Sequence, residues 1–319
     1  MGAGRFIAAG IVAGVATAFA RRKLEEKVAE GGLGGPSTWT RTNHRGEPIS
    51  LLEGPAVAAG LVAGAAVGGG NAPGATAFAT AAAGAFGLVD DLAEDTSVRT
   101  KGLRGHLGAL KEGHLTTGGL KVLGISGSAL VAAAVGTRRT GSAFGHLVDV
   151  GLNGALIGGT ANLINLFDLR PGRALKAGAA ASLPFMLGGA GATGAVLGAA
   201  AAAAPGDLGE KDMLGDGGAN AVGALVGSQI AFGAPRAVRW AALAGVVGLM
   251  LASEKVSFSK VIAGNEWLNK VDMLGRRPAA DTVPGSVTEA AETGDEVSTG
   301  STSGVRSTSV TDPMASPGA

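Results

Sequence analysis

Residues 54–89 read GPAVAAGLVAGAAVGGGNAPGATAFATAAAGAFGLV and contain no charged side chain. The stretch is too long for one membrane span, which needs about 20 apolar residues, and the turn-forming sequence Asn71-Ala72-Pro73-Gly74 lies near its middle. It therefore predicts two membrane helices joined by a turn. Asp90 and Asp91 follow directly, and acids at the end of an apolar helix face water, a cavity, a cation or a partner, or simply mark the helix end.

Similar uncharged blocks recur in a chain that is 46% hydrophobic and only 16% charged. They lie near residues 6–20, 122–137, 150–167, 177–206, 217–235 and 240–253. The block 177–206 is long enough to fold back at its Gly-rich middle, which gives about nine spans in total. We predict an all-α polytopic membrane bundle over residues 1–276 and a disordered, Ser/Thr/Gly-rich tail over 277–319. A soluble Ala/Gly-rich helical protein is the alternative.

Two further compositional features bear on packing and chemistry. The 57 glycines fit helices that pack through small residues with their backbones close together. The chain has no cysteine, which excludes disulfides, thiolate catalysis and Cys-ligated metals.

The positions of Lys and Arg predict the orientation in the membrane. Odd-numbered connections, including 21–53 and 92–121, are rich in basic residues, whereas the opposite side has little beyond Arg138, Arg139, Arg236 and Arg239. The basic side is expected to be cytoplasmic. The N-terminus is then outside, the C-terminus is cytoplasmic, and the location is the cell (plasma) membrane.

With this orientation, the polar residues at the helix ends gather on the cytoplasmic face. They are Asp90, Asp91, Lys121, Asn162, Asn165, Asp168 and Asp216. Carboxylates without cysteines or a paired-His motif suit a hard cation, and Mg²⁺ fits best. The alternative is a capping role, with Asp168 ending a helix and Asp216 as the N-cap of the eighth span.

The cytoplasmic connection after Asp91 combines basic side chains with many glycines. Within it, Arg104 and His106 are candidates for binding phosphate. Attraction of the Lys and Arg residues to anionic lipid headgroups explains the same composition equally well.

Five segments, taken in order, resemble the polyprenyl-phosphate N-acetylhexosamine-1-phosphate transferases (glycosyltransferase family 4), which include phospho-N-acetylmuramoyl-pentapeptide transferase. The resemblance covers about residues 38–255 and rests on short motifs. They are Arg41-Thr-Asn-His-Arg-Gly-Glu-Pro48, Phe86-Gly-Leu-Val-Asp-Asp91, Leu115-Thr-Thr-Gly-Gly-Leu-Lys-Val-Leu-Gly124, Asn162-Leu-Ile-Asn-Leu-Phe-Asp168 and Leu214-Gly-Asp-Gly-Gly218. The chain departs from the family in lacking its late His-rich loop, since residues 253–275 contain no histidine.

The resemblance implies a Mg²⁺-dependent phospho-glycosyltransferase that serves cell-wall biogenesis. A polyprenyl phosphate would attack a UDP-amino sugar and release UMP. Asp216 and Asp91 would bind Mg²⁺, Asp90 and Asp91 would act on the lipid phosphate, and Lys121 would contact phosphate. The substrate-binding group would comprise Asn162, Asn165 and Asp168, with Arg104 and His106.

The expected partners are the membrane, the polyprenyl phosphate and the UDP-sugar, with no nucleic acid. A homodimer is left open. Two other functions also remain open at this point. One is a catalytically silent relative that binds lipid phosphate or scaffolds envelope assembly. The other is a secondary transporter with an ion pathway through Asp90, Asp91 and Asp149, although such proteins carry acids near the bilayer middle.

Overall fold

The computed structural model describes residues 2–43, 45–68, 70–93, 117–139 and 141–278. The predicted all-α class is confirmed within these ranges. The α-helices are α1 Gly2–Ala29, α2 Pro36–Trp39, α3 Glu53–Gly68, α4 Pro73–Ala93, α5 Thr117–Gly136, α6 Ala143–Phe167, α7 Arg173–Ser182, α8 Ala190–Leu208, α9 Gly215–Gly233, α10 Arg236–Ser253, α11 Phe258–Gly264 and α12 Glu266–Met273. Arg104, His106 and almost all of the predicted tail lie outside the described residues.

Four of the described helices are long and apolar enough to cross a membrane by length and composition, namely α1, α5, α6 and α10. The predicted turn between two helices near residue 71 is confirmed, because α3 ends at Gly68 and α4 begins at Pro73. The predicted sixth span is wrong. Residues 173–182 form only the short α7, whose ten residues extend about 15 Å, half of a bilayer's hydrocarbon thickness of about 30 Å.

Helix α9 lies at the centre of the bundle and is buried along nearly its whole length. It packs against α3, α4 and α6. A Cβ atom at Gly223 would lie 2.4 Å from the carbonyl oxygen of Thr160, so α9 and α6 approach within backbone contact. The close packing through small residues that the composition predicts is therefore present.

Helices α1 and α8 form a second close pair, with α3 packed against both. A Cβ atom at Gly198 would lie 2.0 Å from the carbonyl oxygen of Gly10. By contrast, three of the long apolar helices are mostly unburied. The buried share of the most apolar stretch is 17% in α1, 22% in α5 and 6% in α10. These helices leave wide apolar faces exposed, as lipid-facing helices do. Together with the length and composition of the four apolar helices, these exposed faces indicate a membrane protein.

The bundle has two ends, which we name after the residues found there. At the Asp216 end, α3 begins at Glu53, α4 carries Asp90 and Asp91 in its last turns, and α9 begins. At the Gly68 end, α3 ends, α4 begins, and the Asn71 side chain donates a hydrogen bond to the carbonyl of Phe232 near the end of α9.

A candidate Asp-Lys site at the Asp216 end

Lys121 joins two of the predicted site carboxylates. Its ammonium nitrogen lies 2.5 Å from an Asp90 carboxylate oxygen and also pairs with Asp216. The three residues belong to α5, α4 and α9, and none of their side chains is more than 28% exposed. Asp90 and Asp216 are 31 and 95 positions away from Lys121 in the sequence, yet both side chains contact its ammonium nitrogen.

Asp91 points to the start of α9. Its two carboxylate oxygens accept hydrogen bonds from the backbone N–H groups of Asp216, at 3.0 Å, and Gly217, at 2.9 Å. The N-cap residue Leu214 provides no side-chain cap, so Asp91 satisfies two amides that would otherwise lack partners and places its charge at the positive end of the helix. The alternative that Asp216 is the N-cap is wrong, because Asp216 lies in the first turn.

Two glycines allow α4 and α9 to meet this closely. A Cβ atom at Gly87 would lie 2.3 Å from the carbonyl oxygen of Asp216. Gly215 has a φ of +60°, a conformation that other residues rarely adopt, and a Cβ there would lie 2.9 Å from an Asp91 carboxylate oxygen. The site geometry therefore depends on glycine at both positions.

Asp168 lies close to the same acids. It follows the last residue of α6, and its backbone N–H donates to the carbonyl of Asn165. Burial raises the pKa of the Asp168 carboxyl well above its ordinary value, and the nearby charges of Asp207 and Asp216 raise it further. Asn162 and Asn165 are half-buried on α6.

Two buried acids next to this group were not predicted from the sequence. Glu53 and Asp207 are each only 3% exposed, and both Glu53 carboxylate oxygens lack a hydrogen-bond partner among the described residues. Glu53 interacts electrostatically with Asp207, Asp212 and Asp168. The position of Glu53, immediately before the apolar stretch that begins at Gly54, was the sequence signal that could have identified it.

An antiparallel hairpin, also missed from the sequence, holds the segment that leads into Asp216. Strand β1 Thr40–Thr42 pairs with β2 Pro48–Ser50. The Ser50 N–H donates to the carbonyl of Lys211 at 3.0 Å, and the Ser50 carbonyl accepts from the N–H of Met213 at 2.9 Å. The turn-forming Asn43-His44-Arg45-Gly46 was the sequence signal for this hairpin.

Two ion pairs and one hydrogen bond from a side chain to a backbone carbonyl reinforce the same region. Arg21 of α1 pairs with Asp212 at 2.7 Å, and Arg45 from the hairpin turn pairs with the buried Glu210 at 2.8 Å. Arg41 donates to the backbone carbonyl of Asp91 at 2.7 Å. Both sides of the contact between α4 and α9 are thus tied to the N-terminal part of the chain.

The carboxylates of Asp90 and Asp216 have the chemistry that Mg²⁺ requires. This ion usually binds proteins through one or two carboxylates and completes its shell with water and phosphate oxygens. The position between these two carboxylates already holds a positive charge, the Lys121 ammonium group. In the part of the chain that the structure describes, no group of three or more His, Asp or Glu side chains is arranged to hold a metal.

None of the protein-family models, curated proteins or solved structures compared with this chain matches it. A lysine between two carboxylates can exchange one of them for a phosphate, since it binds phosphate as a point charge.

Proposed function

We propose that the protein is an integral-membrane transferase that moves a sugar-1-phosphate from a UDP-amino sugar to a polyprenyl phosphate and releases UMP. The observation that carries the proposal is the convergence of Asp90, Lys121 and Asp216 on one point from three different helices. These residues belong to three of the segments that resemble the polyprenyl-phosphate N-acetylhexosamine-1-phosphate transferases.

In the proposed reaction, an oxygen of the polyprenyl phosphate attacks the β-phosphorus of the UDP-sugar. A new P–O bond forms, the bond from the β-phosphorus to the oxygen bridging the two phosphates breaks, and that oxygen leaves with UMP. Positioning and charge stabilisation supply most of the catalysis in such phosphoryl transfers. The reaction therefore needs protein cations and correctly positioned carboxylates next to the substrate phosphates.

The residues of the site have distinct proposed roles. Lys121 contacts a substrate phosphate by releasing one carboxylate partner. Asp90 organises the lipid phosphate, with Asp91 beside it, while Asp91 also holds the start of α9 in place. Asp216 and Asp91 would hold Mg²⁺, and the ion when bound would neutralise charge on the phosphate oxygens.

The proposal also includes the remaining predicted site residues and the orientation of the protein in the membrane. Asn162, Asn165 and Asp168 hold the nucleotide, while Arg104 and His106 contact phosphates. The site faces the cytoplasm of a plasma-membrane protein whose N-terminus is outside, and the lipid product enters cell-wall assembly.

A catalytically silent relative that binds lipid phosphate or scaffolds envelope assembly is the second candidate. Two observations favour it. Both oxygens of Asp91 are engaged by backbone amides, and Lys121 already occupies the space between Asp90 and Asp216. A site closed in this way would suit phosphate binding without turnover.

The test is UMP release from a panel of UDP-sugars by membranes that carry the protein, with polyprenyl phosphate and Mg²⁺ present. We expect activity in the wild type and its loss in Asp216→Asn and Asp90→Asn at normal protein levels. Glu254→Gln, which makes the same carboxylate-to-amide change at an exposed position, should retain full activity. Polyprenyl-phosphate binding without UMP release from any donor would favour the silent relative.

A further inference from the structure

Helices α11 and α12 form a short segment that directly follows α10, one of the helices long enough to cross a membrane. Helix α10 runs alongside α6 to the Asp216 end of the bundle. Arg236 at its start pairs with Asp149 near the start of α6, and Phe258, just beyond its end, stacks on Phe167 at the end of α6. The site proposed above makes no use of the α11–α12 segment.

Polar contacts hold the inner side of this segment against α7. The Asp272 carboxylate accepts hydrogen bonds from Arg173 at 2.7 and 3.0 Å and pairs with Arg276 at 2.9 Å. Arg173 also donates to the Ser259 hydroxyl at 2.9 Å, and Lys176 donates to the backbone carbonyl of Asp272 at 2.7 Å. The side of the segment that faces the protein is therefore charged and buried.

The outer side of the segment is apolar. Trp267, Val271 and Leu274 are spaced by four and three positions, which places them on one face of a helix. They are 70%, 41% and 71% exposed, and Val256 and Val261 are 47% and 48% exposed. A helix on a surface that faces water has the opposite polarity, with apolar residues inside and polar residues outside. Tryptophan is also enriched where a protein crosses the membrane–water interface.

Basic residues accompany this apolar face. Residues 254–277 contain five Lys or Arg and three acidic residues, and Lys255, Lys260 and Lys270 are exposed. Lys270 pairs with Glu266 at 2.6 Å, whereas Lys255 and Lys260 each directly precede an exposed valine. An apolar face flanked by lysines is typical of helices that lie on a membrane surface and attract anionic lipids.

We propose that the α11–α12 segment lies on the surface of the bilayer that α10 crosses, at the Asp216 end. Trp267, Val271 and Leu274 enter the boundary between headgroups and acyl chains, while Lys255 and Lys260 contact anionic headgroups. Helices this short are not stable alone in water, and the polar contacts with α7 hold them in place. Continuity with the lipid-facing surface of α10, of which only 6% is buried, favours a bilayer as the occupant.

The experiment measures the membrane depth of spin labels on the full chain, which has no natural cysteine. Val271→Cys and Leu274→Cys place a label on the apolar face, and Asn269→Cys places one at an exposed position on another side of α12. Leu251→Cys, 65% exposed near the end of α10, is the reference for lipid contact. The chain is reconstituted into phosphatidylcholine vesicles with and without phosphatidylglycerol, and collisions with oxygen and with a water-soluble nickel chelate are compared.

We expect the labels at positions 271 and 274 to collide mainly with oxygen, which concentrates in lipid, as the label at 251 does. The label at 269 should collide mainly with the nickel chelate. The ratio of lipid-inserted to water-exposed label at 271 should rise when phosphatidylglycerol is present. In those vesicles, Lys255→Gln and Lys260→Gln should each lower the ratio by about fivefold, the effect of one lysine at an anionic surface.

Arg138→Gln is the matched control, because it removes an exposed cation at the Gly68 end of the bundle; it should leave the ratio unchanged. The proposal is overturned if the labels at 271 and 274 collide mainly with the nickel chelate. It is equally overturned if they are shielded from both reagents, which would indicate a protein partner or a second copy of the chain. Insertion that is unaffected by phosphatidylglycerol and by both lysine replacements would overturn the contact with anionic headgroups.

Discussion

Replacing Lys121 with methionine tests whether this lysine holds the Asp-Lys site together. The substitution keeps a long side chain in α5 and removes the charge that lies between Asp90 and Asp216. Both carboxylates then remain, each less than one-third exposed, with no cation between them. We expect Lys121→Met to reduce the stability of the fold as well as activity.

The size of the loss can be worked from the geometry. Both carboxylates contact the same nitrogen atom, so the two oxygens that contact it are at most about 5 Å apart, and two unit charges at that distance repel by about 3 kcal/mol at an effective dielectric constant of about 20. Partial exposure reduces this figure, and removal of one partner from a buried ion pair typically costs about 3–5 kcal/mol. We therefore expect the free energy of unfolding to fall by about 2–4 kcal/mol.

Denaturant unfolding of the purified protein in detergent measures this loss. Lys260→Met, the same change at an exposed position, should stay within about 0.5 kcal/mol of the wild type. The double variant Lys121→Met, Asp216→Asn should recover part of the loss, because one of the two repelling charges is gone. A stability of Lys121→Met equal to that of Lys260→Met would show that Lys121 does not stabilise the two carboxylates.

Three further predictions concern other contacts. Gly87→Ala must move α4 and α9 apart by about 1 Å to restore ordinary contact, and should cost about 1–3 kcal/mol, whereas Gly74→Ala, with nothing within 4 Å, should be neutral or slightly stabilising in the same unfolding assay. Glu53→Gln, which removes an unpartnered buried acid, should raise the thermal midpoint, and a fall in that midpoint would contradict this. Asp272→Asn should cost about 3 kcal/mol, because the carboxylate is 7% exposed and pairs with Arg173. Burial alone would raise the pKa of Asp272, but the hydrogen bonds and charge of Arg173 outweigh it and lower that pKa. The Asp272→Asn deficit should therefore be constant from about pH 5 to 8 and shrink below about pH 4, as the wild type loses the ion pair; a deficit that grows in acid would contradict it.

The all-α class could be predicted from the sequence because it depends on hydrophobic blocks and turn residues. Uncharged stretches correctly indicated helices, and Asn71-Ala72-Pro73-Gly74 correctly separated α3 from α4. The sixth span was wrong because composition alone does not show where a helix ends. Residues 177–182 belong to a helix that starts at Arg173 and gives way at Leu183 to a short 3-10 turn.

The sequence predicted which residues belong to the site better than it predicted the contacts between them. The sequence indicated that Asp90, Lys121 and Asp216 share one face, and the structure brings them into contact. It did not indicate that Asp91 caps α9, because that role depends on an approach between helices more than 120 positions apart in the sequence. Glu53 was not predicted for a similar reason, because the acids that act on it belong to segments more than 100 positions later in the sequence.

The rate of UMP release by Asp216→Asn relative to the wild type gives the sharpest test of the proposed transferase activity. It should use equal amounts of folded protein, with UDP-sugar, polyprenyl phosphate and Mg²⁺ present. We expect release by the wild type and a loss of at least about a hundredfold in the variant, since Asp216 would hold the ion that neutralises the phosphates. Equal rates in the two proteins, or no release by the wild type with any UDP-sugar, would contradict it.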